Sequence, residues 1–136
     1  MPDIKDSITI AGAGMKAQST RMRIAAENIA NADSTASTPG GDPYRRKTVT
    51  FKNTLDKELG LKTVKVSKVG TDPSEFLSEY NPTHPAADSD GYVKRPNINV
   101  QIEQADVKEA QRSYEANLSV IDVSRSMVSR TLELMR

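Results

Sequence analysis

The two ends of the chain carry the same seven-residue apolar repeat, and about seventy polar, turn-rich residues separate them. The N-terminal repeat consists of Ile8, Met15, Met22 and Ile29, with a companion set of Ile4, Ala11, Ala25 and Ala32. The C-terminal repeat consists of Val107, Tyr114, Ile121, Val128 and Met135, with Leu118 and Leu132 beside it. This spacing is typical of a helix that lies along another helix. The pattern therefore predicts two terminal helices made for packing, joined by a central segment that holds little core material.

Local signals predict where the two helices begin and end. Asp3 or Asp6 can cap the first helix, and Asn31 is a favourable residue for its end. The second helix is expected to start near Asn99, because no Gly or Pro follows Asn97. The chain then divides into an N-terminal helix (1–33), a central segment (34–99) and a C-terminal helix (100–136).

The central segment is predicted to contain a small amount of β-structure. Residues 44–51 and 62–69 are rich in β-branched residues and alternate in polarity, which favours strands. Residues 53–60 are predicted to form a short helical turn. Several prolines punctuate residues 81–99, so this stretch is expected to be an extended strap.

Gly12 and Gly14 interrupt the first helix, and each costs about 1 kcal/mol against alanine in a helix interior. They make sense if another backbone approaches closely there or if the helix bends. The second helix has a further apolar stripe on another face, formed by Val120, Val123, Met127 and Leu134. A helix that is apolar on two faces is buried on two sides. We therefore expect a second copy or another subunit on that face, and terminal helices that are poorly ordered in the isolated monomer.

Composition excludes several classes of protein. Hydrophobic residues make up only 36% of the 136 residues, and the net charge of +1 gives no electrostatic footprint for nucleic acid. Without cysteine, disulfides and thiolate metal sites are excluded. No apolar run approaches the roughly 20 residues of a membrane span, and no cleavable secretory signal is recognisable at the N-terminus. The basic run 45–47 is predicted to be solvated or locally paired.

Candidate chemical sites are weak. His84, Asp88 and Asp90 could be metal ligands, but a calcium loop counted from Asp88 would need Glu at its twelfth position, where Asn99 stands. We therefore expect a turn at Asp88–Gly91 and no metal or cofactor. No glycine loop fits a phosphate cradle, and no serine lies in a G-x-S-x-G elbow, so a hydrolase is disfavoured.

Three asparagines, Asn28, Asn31 and Asn117, lie in helical segments although asparagine is a poor helix former. They are either surface or capping residues, or they form inter-helix hydrogen bonds that fix register. The residues alone leave these alternatives open. Tyr114 is expected to pack in the core with its hydroxyl at the edge.

Three segments resemble known sequences of flagellar axial proteins. Residues 26–35 (AENIANADST) look like the rod and hook motif ANNIANxxT, with Glu27 in place of the usual Asn and Ser34 at the Thr position. Residues 109–117 (EAQRSYEAN) are close to the family pattern EA-R-Y-AN. Residues 81–93 (NPTHPAADSDGYV), followed by Pro-Asn-Ile-Asn at 96–99, resemble a signature of proximal rod proteins. The chain is thus identified as a member of the flagellar basal-body rod family.

The resemblance implies a structural, non-enzymatic subunit of a helical tube, with an antiparallel pair of terminal helices lining its inside and the central segment outside. It implies export by the flagellar type III route, a place in the rod that crosses the periplasm, and transmission of torque. The implied partners are further copies, neighbouring rod subunits and the junction of membrane ring and export gate. The alternatives are another rod or hook-associated subunit, or a free coiled-coil module with one cytoplasmic partner. The expected subunit interface comprises Ile8, Met15, Met22, Asn28, Ile29, Asn31, Val107, Tyr114, Asn117, Leu118, Val120, Ile121, Val123, Met127, Val128, Leu132 and Met135.

Overall fold

Two long helices bracket two small antiparallel sheets in the computed structural model, which describes residues 3–136. The elements, in chain order, are α1 (Ile4–Ala30), β1 (Lys47–Asp56), β2 (Leu61–Thr71), β3 (Leu77–Tyr80), β4 (Tyr92–Arg95) and α2 (Val100–Leu134). The sequence-based prediction of a mainly helical chain with a small β segment is confirmed.

Side-chain caps fix the starts of both helices. Asp3 accepts a hydrogen bond from the backbone N–H of Ile4, and a reciprocal capping box joins Asp3 and Asp6. The side chain of Asn99 accepts from the backbone N–H groups of Gln101 and Ile102 at the start of α2. These bonds satisfy N–H groups that have no partner inside the helix. Both predicted starts and the predicted end of α1 at Asn31 are confirmed.

The two helices lie antiparallel. Asn28 near the end of α1 contacts Glu103 near the start of α2, whereas Gly14 lies against Asn117. The same spacing brings Ile4 level with about Met127, since residue numbers fall along α2 as they rise along α1. The last two turns of α2 therefore extend past Asp3, the first residue that the structure describes.

A long β1–β2 hairpin packs against α1. Its ladder runs from Lys47 opposite Thr71 to Asp56 opposite Leu61, with a bulge between Thr50 and Phe51. The predicted helical turn at 53–60 is wrong, because residues 53–56 continue β1 and pair with β2. The predicted strand at 44–51 also began too early, since β1 starts at Lys47.

The chain reverses between β1 and β2 through a side-chain-supported turn. The Asp56 carboxylate accepts hydrogen bonds from the backbone N–H groups of Glu58 and Leu59, and Gly60 adopts a φ of +66°. Local bonds of this kind favour a turn over a helix. Cross-strand pairing of residues 53–56 with β2 therefore prevailed over their local helical preference.

The region predicted as an extended strap, residues 81–99, contains β4, which forms a second hairpin with β3: Leu77 pairs with Arg95 and Tyr80 with Tyr92. Its connection closes in the predicted turn at Asp88–Gly91. There the Asp88 carboxylate accepts from the backbone N–H groups of Asp90 and Tyr92, and Gly91 has a φ of +86°. Val93 is fully buried, and Ile98 is 7% exposed, so this small sheet carries part of the limited core.

Candidate assembly interface

Small residues form the contact between the two terminal helices. The fully buried residues of α1 are Ala11, Gly14, Ala17, Ile24, Ala25 and Asn28. On α2 the buried residues are Glu103, Ala110 and Ser124. Small side chains let helix axes approach closely but remove little apolar area from water. The predicted stripe of Ile8, Met15, Met22 and Ile29 is half-buried and lies beside this seam rather than in it.

The C-terminal helix shows a similar arrangement. Val107, Tyr114 and Ile121 are half-buried beside the seam, whereas Asn117 is half-buried within the seam, against Gly14. Four further members of the predicted stripe, Leu118, Val128, Leu132 and Met135, are exposed by 41%, 40%, 60% and 78%. The stripe is thus covered by α1 mainly in its first half, because Val128 lies level with Asp3 and Leu132 and Met135 belong to the part of α2 that extends past Asp3.

Gly14 is required by the closest approach of the two helices. A Cβ atom built on Gly14 would lie 2.7 Å from Nδ2 of Asn117. A Cβ atom on Gly12 would have no such neighbour within 4 Å. The neighbour of Gly14 is therefore a side chain rather than the expected second backbone, and the space beside Gly12 is open.

The other two asparagines of the predicted interface have different surroundings. Asn31 ends α1, and its Nδ2 donates to the backbone carbonyl of Glu27 over 2.8 Å. Asn28 is 1% exposed, and its Nδ2 donates to the Lys47 carbonyl (2.9 Å) and to Glu103 Oε2 (3.3 Å). Its Oδ1 accepts from the Lys47 backbone N–H (2.9 Å) and from the Tyr44 hydroxyl. Asn28 therefore links α1, α2 and the start of β1.

Asn28 belongs to a larger ionic cluster, here called the polar junction: Asn28, Arg46, Asp72, Glu103 and Asp106. The guanidinium of Arg46 pairs with Glu103, and it lies 3.5 Å from Asp72 and 3.9 Å from Asp106. Glu103 is 1% exposed, so its charge depends on Arg46 and Asn28 for compensation. The apolar repeats did not predict that Glu103 is buried, because Glu103 is a charged residue at a position of the seam.

The basic run at 45–47 is locally paired, as predicted. Burial opposes the charge of Arg46, but the bond and charge of Glu103 outweigh it and raise the pKa of Arg46. Arg45 donates to the backbone carbonyls of Asp72 and Ser74, and its guanidinium carbon lies 4.1 Å from the centre of the Phe76 ring. The run therefore connects the central segment to the helix pair.

Neighbouring groups shift the pKa values of four residues in and around the basic run. The hydrogen bond from Lys47 holds the pKa of Glu27 below its usual range, and the same contact raises the pKa of Lys47. The backbone N–H of Ser74 is the main cause of a lowered pKa at Asp72. Burial raises the pKa of the Tyr44 hydroxyl. All four groups are therefore held in the forms that make these contacts at neutral pH.

The second apolar stripe predicted on α2 is solvent-exposed in the monomer. We call it the outer stripe: Val120, Val123, Met127 and Leu134. These side chains are exposed by 44%, 59%, 52% and 87%. Adjacent helix residues point about 100° apart, so the stripe lies on one flank of the seam with α1, while Tyr114 and Ile121 lie on the other flank. Neither helix of residues 3–136 combines the length and apolar content that crossing a membrane requires.

The residues weighed as metal ligands at 84–90 lie in a structural turn. Nδ1 of His84 accepts from the backbone N–H of Ala86 over 3.0 Å, and its Nε2 lies 3.5 Å from the Thr35 hydroxyl. The Asp88 carboxylate accepts hydrogen bonds from the backbone N–H groups of Asp90 and Tyr92. These bonds explain the residue types without a ligand.

Two sequence families match the helical ends of the chain. The family described as "Flagella basal body rod protein" matches residues 8–36, and "Flagellar basal body rod FlgEFG protein C-terminal" matches residues 89–134. Together with the antiparallel terminal helices, these matches define a flagellar basal-body rod protein.

Relatives that match over the whole chain narrow this class. The flagellar basal-body rod protein FlgC of Agrobacterium fabrum is 54% identical over 136 residues, covering 100% of this chain and 98% of the relative. FlgC of Salmonella typhimurium is 43% identical with 92% of each chain covered, and FlgC of Bacillus subtilis is 34% identical with 94% and 95% covered. The chain belongs to the FlgC family of flagellar basal-body rod proteins.

Proposed function

We propose that the chain is a non-enzymatic structural subunit of the proximal flagellar rod, which polymerises through its terminal helices and transmits torque. Membership of the rod family supports the location, and the exposed outer stripe supports the mode of assembly. Its partners are further copies, neighbouring rod subunits and the junction of membrane ring and export gate. It reaches the rod by the flagellar export route.

The single observation that carries the mode of assembly is the apolar surface that α2 leaves uncovered. Val123 and Met127 are more than half exposed on a helix whose other face is already covered by α1. Beyond Asp3 the end of α2 lacks cover from α1, and there Leu132, Leu134 and Met135 are also exposed. Burying such a surface against a neighbour would contribute roughly 25 cal/mol per Å² of apolar area. A neighbour in a polymer can cover the outer stripe and the free end together.

A charge placed on the outer stripe tests this function. Val123→Glu and Met127→Glu should abolish incorporation into basal bodies and swarming, because a carboxylate would be buried without a partner in the subunit contact. The control is Ser129→Glu, which introduces the same group at an exposed position seven residues after Asp122, on a face that already carries an acid. Purified basal bodies should contain the control variant at the native level.

The folded monomer must be preserved for the test to be informative. Circular dichroism should show the same helix content for all three variants and the native chain, since these positions are exposed in the monomer. Normal incorporation of both Val123→Glu and Met127→Glu would contradict assembly through the outer stripe. Absence of the native chain from purified basal bodies would contradict the rod function itself.

A further inference from the structure

The central segment carries two surfaces of opposite charge. Residues 47–71, which form the first hairpin, contain six lysines and two acidic residues, for a net charge of +4. Residues 72–93 contain five acidic residues and no lysine or arginine. The whole chain has a net charge of only +1, so this separation is hidden in its overall composition. We call residues 72–90 the acidic segment.

The lysines of the first hairpin remain without a counter-charge in the described part of the chain. Lys52, Lys57, Lys62, Lys65 and Lys68 form no ion pair with any group in residues 3–136. Over the same residues, Glu75, Asp88 and Asp90 of the acidic segment are also absent from ion pairs. The two surfaces are complementary, yet they do not meet within one molecule.

The register of the hairpin places two of these lysines side by side. Lys52 lies directly opposite Lys65 in the β1–β2 ladder. Like charges in directly opposed positions destabilise a strand pair. The monomer therefore contains a local repulsion that an anionic partner would relieve.

An amphipathic groove adjoins this lysine pair. It lies between α1 and β2, and it is lined by Ala13, Lys16, Ala17, Thr20, Val64, Lys65 and Val66. The groove thus combines apolar walls with two lysines. An occupant should present acidic and apolar side chains together.

The acidic segment has this composition. Strand β3 is exposed along its whole length, with Leu77 at 59% and Tyr80 at 65%. Glu75 precedes it, so an acidic side chain adjoins an exposed apolar strand. We infer that the groove and the Lys52–Lys65 pair of one copy bind the acidic segment, around Glu75 and β3, of a neighbouring copy of this chain. This contact rests on the proposed function, because it joins neighbours that the terminal helices already bring together.

The geometry of the contact is heterologous: one surface of each copy binds a different surface of the next. Such contacts generate rings or open helical assemblies rather than closed dimers. The hairpin contact would therefore add an outer, salt-sensitive connection around an assembly whose inner contacts are apolar. It would also fix the rotational position of each central segment relative to its neighbour.

Disulfide trapping tests the contact directly, because the native chain contains no cysteine. Lys65→Cys and Glu75→Cys in one chain should give a reducible dimer or ladder when basal bodies are oxidised, since bridging requires Cα atoms about 4.4–6.8 Å apart. The control pairs Ser129→Cys with Glu75→Cys, because Ser129 is exposed and lies on α2, outside the groove and the lysine pair. It should give no dimer.

The outcomes separate this contact from the rod function. Cysteine variants that enter basal bodies normally but remain monomeric on oxidation would overturn the contact and leave the rod function intact. A disulfide within one chain, seen as a monomer of altered mobility, would overturn it as well. Absence of the native chain from basal bodies would instead overturn the rod function.

Charge exchange provides a second test. Lys65→Glu should reduce incorporation and swarming, and adding Glu75→Lys should restore both. Restoration is the result expected from a copy-to-copy contact. A defect that the exchanged charges do not repair would identify a different protein or an anionic surface as the partner of the hairpin, and would overturn the inference.

Discussion

At the scale of single residues, the helix pair is held at one end by hydrogen bonds and charges rather than by apolar packing. Asn28 supplies donors and acceptors to three elements, while Arg46 and Glu103 neutralise each other beneath it. A buried carboxylate and a buried amide are costly unless every bond is made. The polar junction therefore specifies one arrangement of α1, α2 and the central segment.

Replacing Asn28 should reveal how much the junction contributes. Asn28→Ala should lower the free energy of unfolding by about 2–4 kcal/mol, because it leaves the Lys47 backbone groups unpaired and removes a bond to a buried charge. Asn31→Ala is the control. It removes a local bond to Glu27 and should cost about 1 kcal/mol or less. Urea denaturation at neutral pH measures both, and equal losses would contradict a special role for Asn28.

At the scale of elements, the two glycines of α1 offer a matched comparison within one helix. Gly12→Ala should stabilise the monomer by about 0.5–1 kcal/mol, since alanine is the better helix former and the space beside Gly12 is open. Gly14→Ala should gain less or lose stability, because its Cβ would displace the Asn117 side chain. Thermal unfolding of the two variants decides this. A larger gain at Gly14 would show that Asn117 moves aside freely.

Some features of the helices could be predicted from sequence patterns alone. Capping residues and the absence of Gly and Pro after Asn97 were enough to predict the starts of both helices. The heptad repeats predicted two packed helices, and the companion set of the first repeat contains the buried Ala11 and Ala25, but Gly14, Ala17 and Ala110 were not predicted. Ala11, Ala17 and Ala110 are buried because they permit close approach, and apolar size is a poor guide to such positions.

The remaining differences between the prediction and the structure have a common cause: the residues concerned contact partners that are distant in the sequence. Asn53–Asp56 extend because β2 lies beside them, and no local signal announces a partner strand. Glu103 is buried because Arg46, 57 residues away in sequence, lies against it. Contacts that depend on distant residues of one chain cannot be obtained from local periodicity.

At the scale of the whole molecule, the helix pair combines a narrow seam with much uncovered apolar surface. The seam buries mostly alanine and glycine, while Leu134 and Met135 at the free end of α2 are exposed by 87% and 78%. Helices in proteins draw most of their stability from packing of an apolar face. The monomer thus has little to hold its helix ends, whereas an assembled subunit would gain cover from its neighbours.

We therefore expect helix content to depend on assembly. Circular dichroism of dilute native monomer should show less helix than the 62 residues of α1 and α2 would give, and amide exchange should be fast at the N-terminal end of α1 and the C-terminal end of α2. Exchange should be slowest near Asn28 and Glu103, where the polar junction ties the elements together. Both ends should become protected when the protein concentration is raised or basal bodies are assembled.

The internal control is β4, because Val93 is buried within the chain at any concentration. Uniform protection of both helix ends in dilute monomer would mean that the seam alone holds the pair, and the outer stripe would then be a preformed surface rather than one that orders on contact.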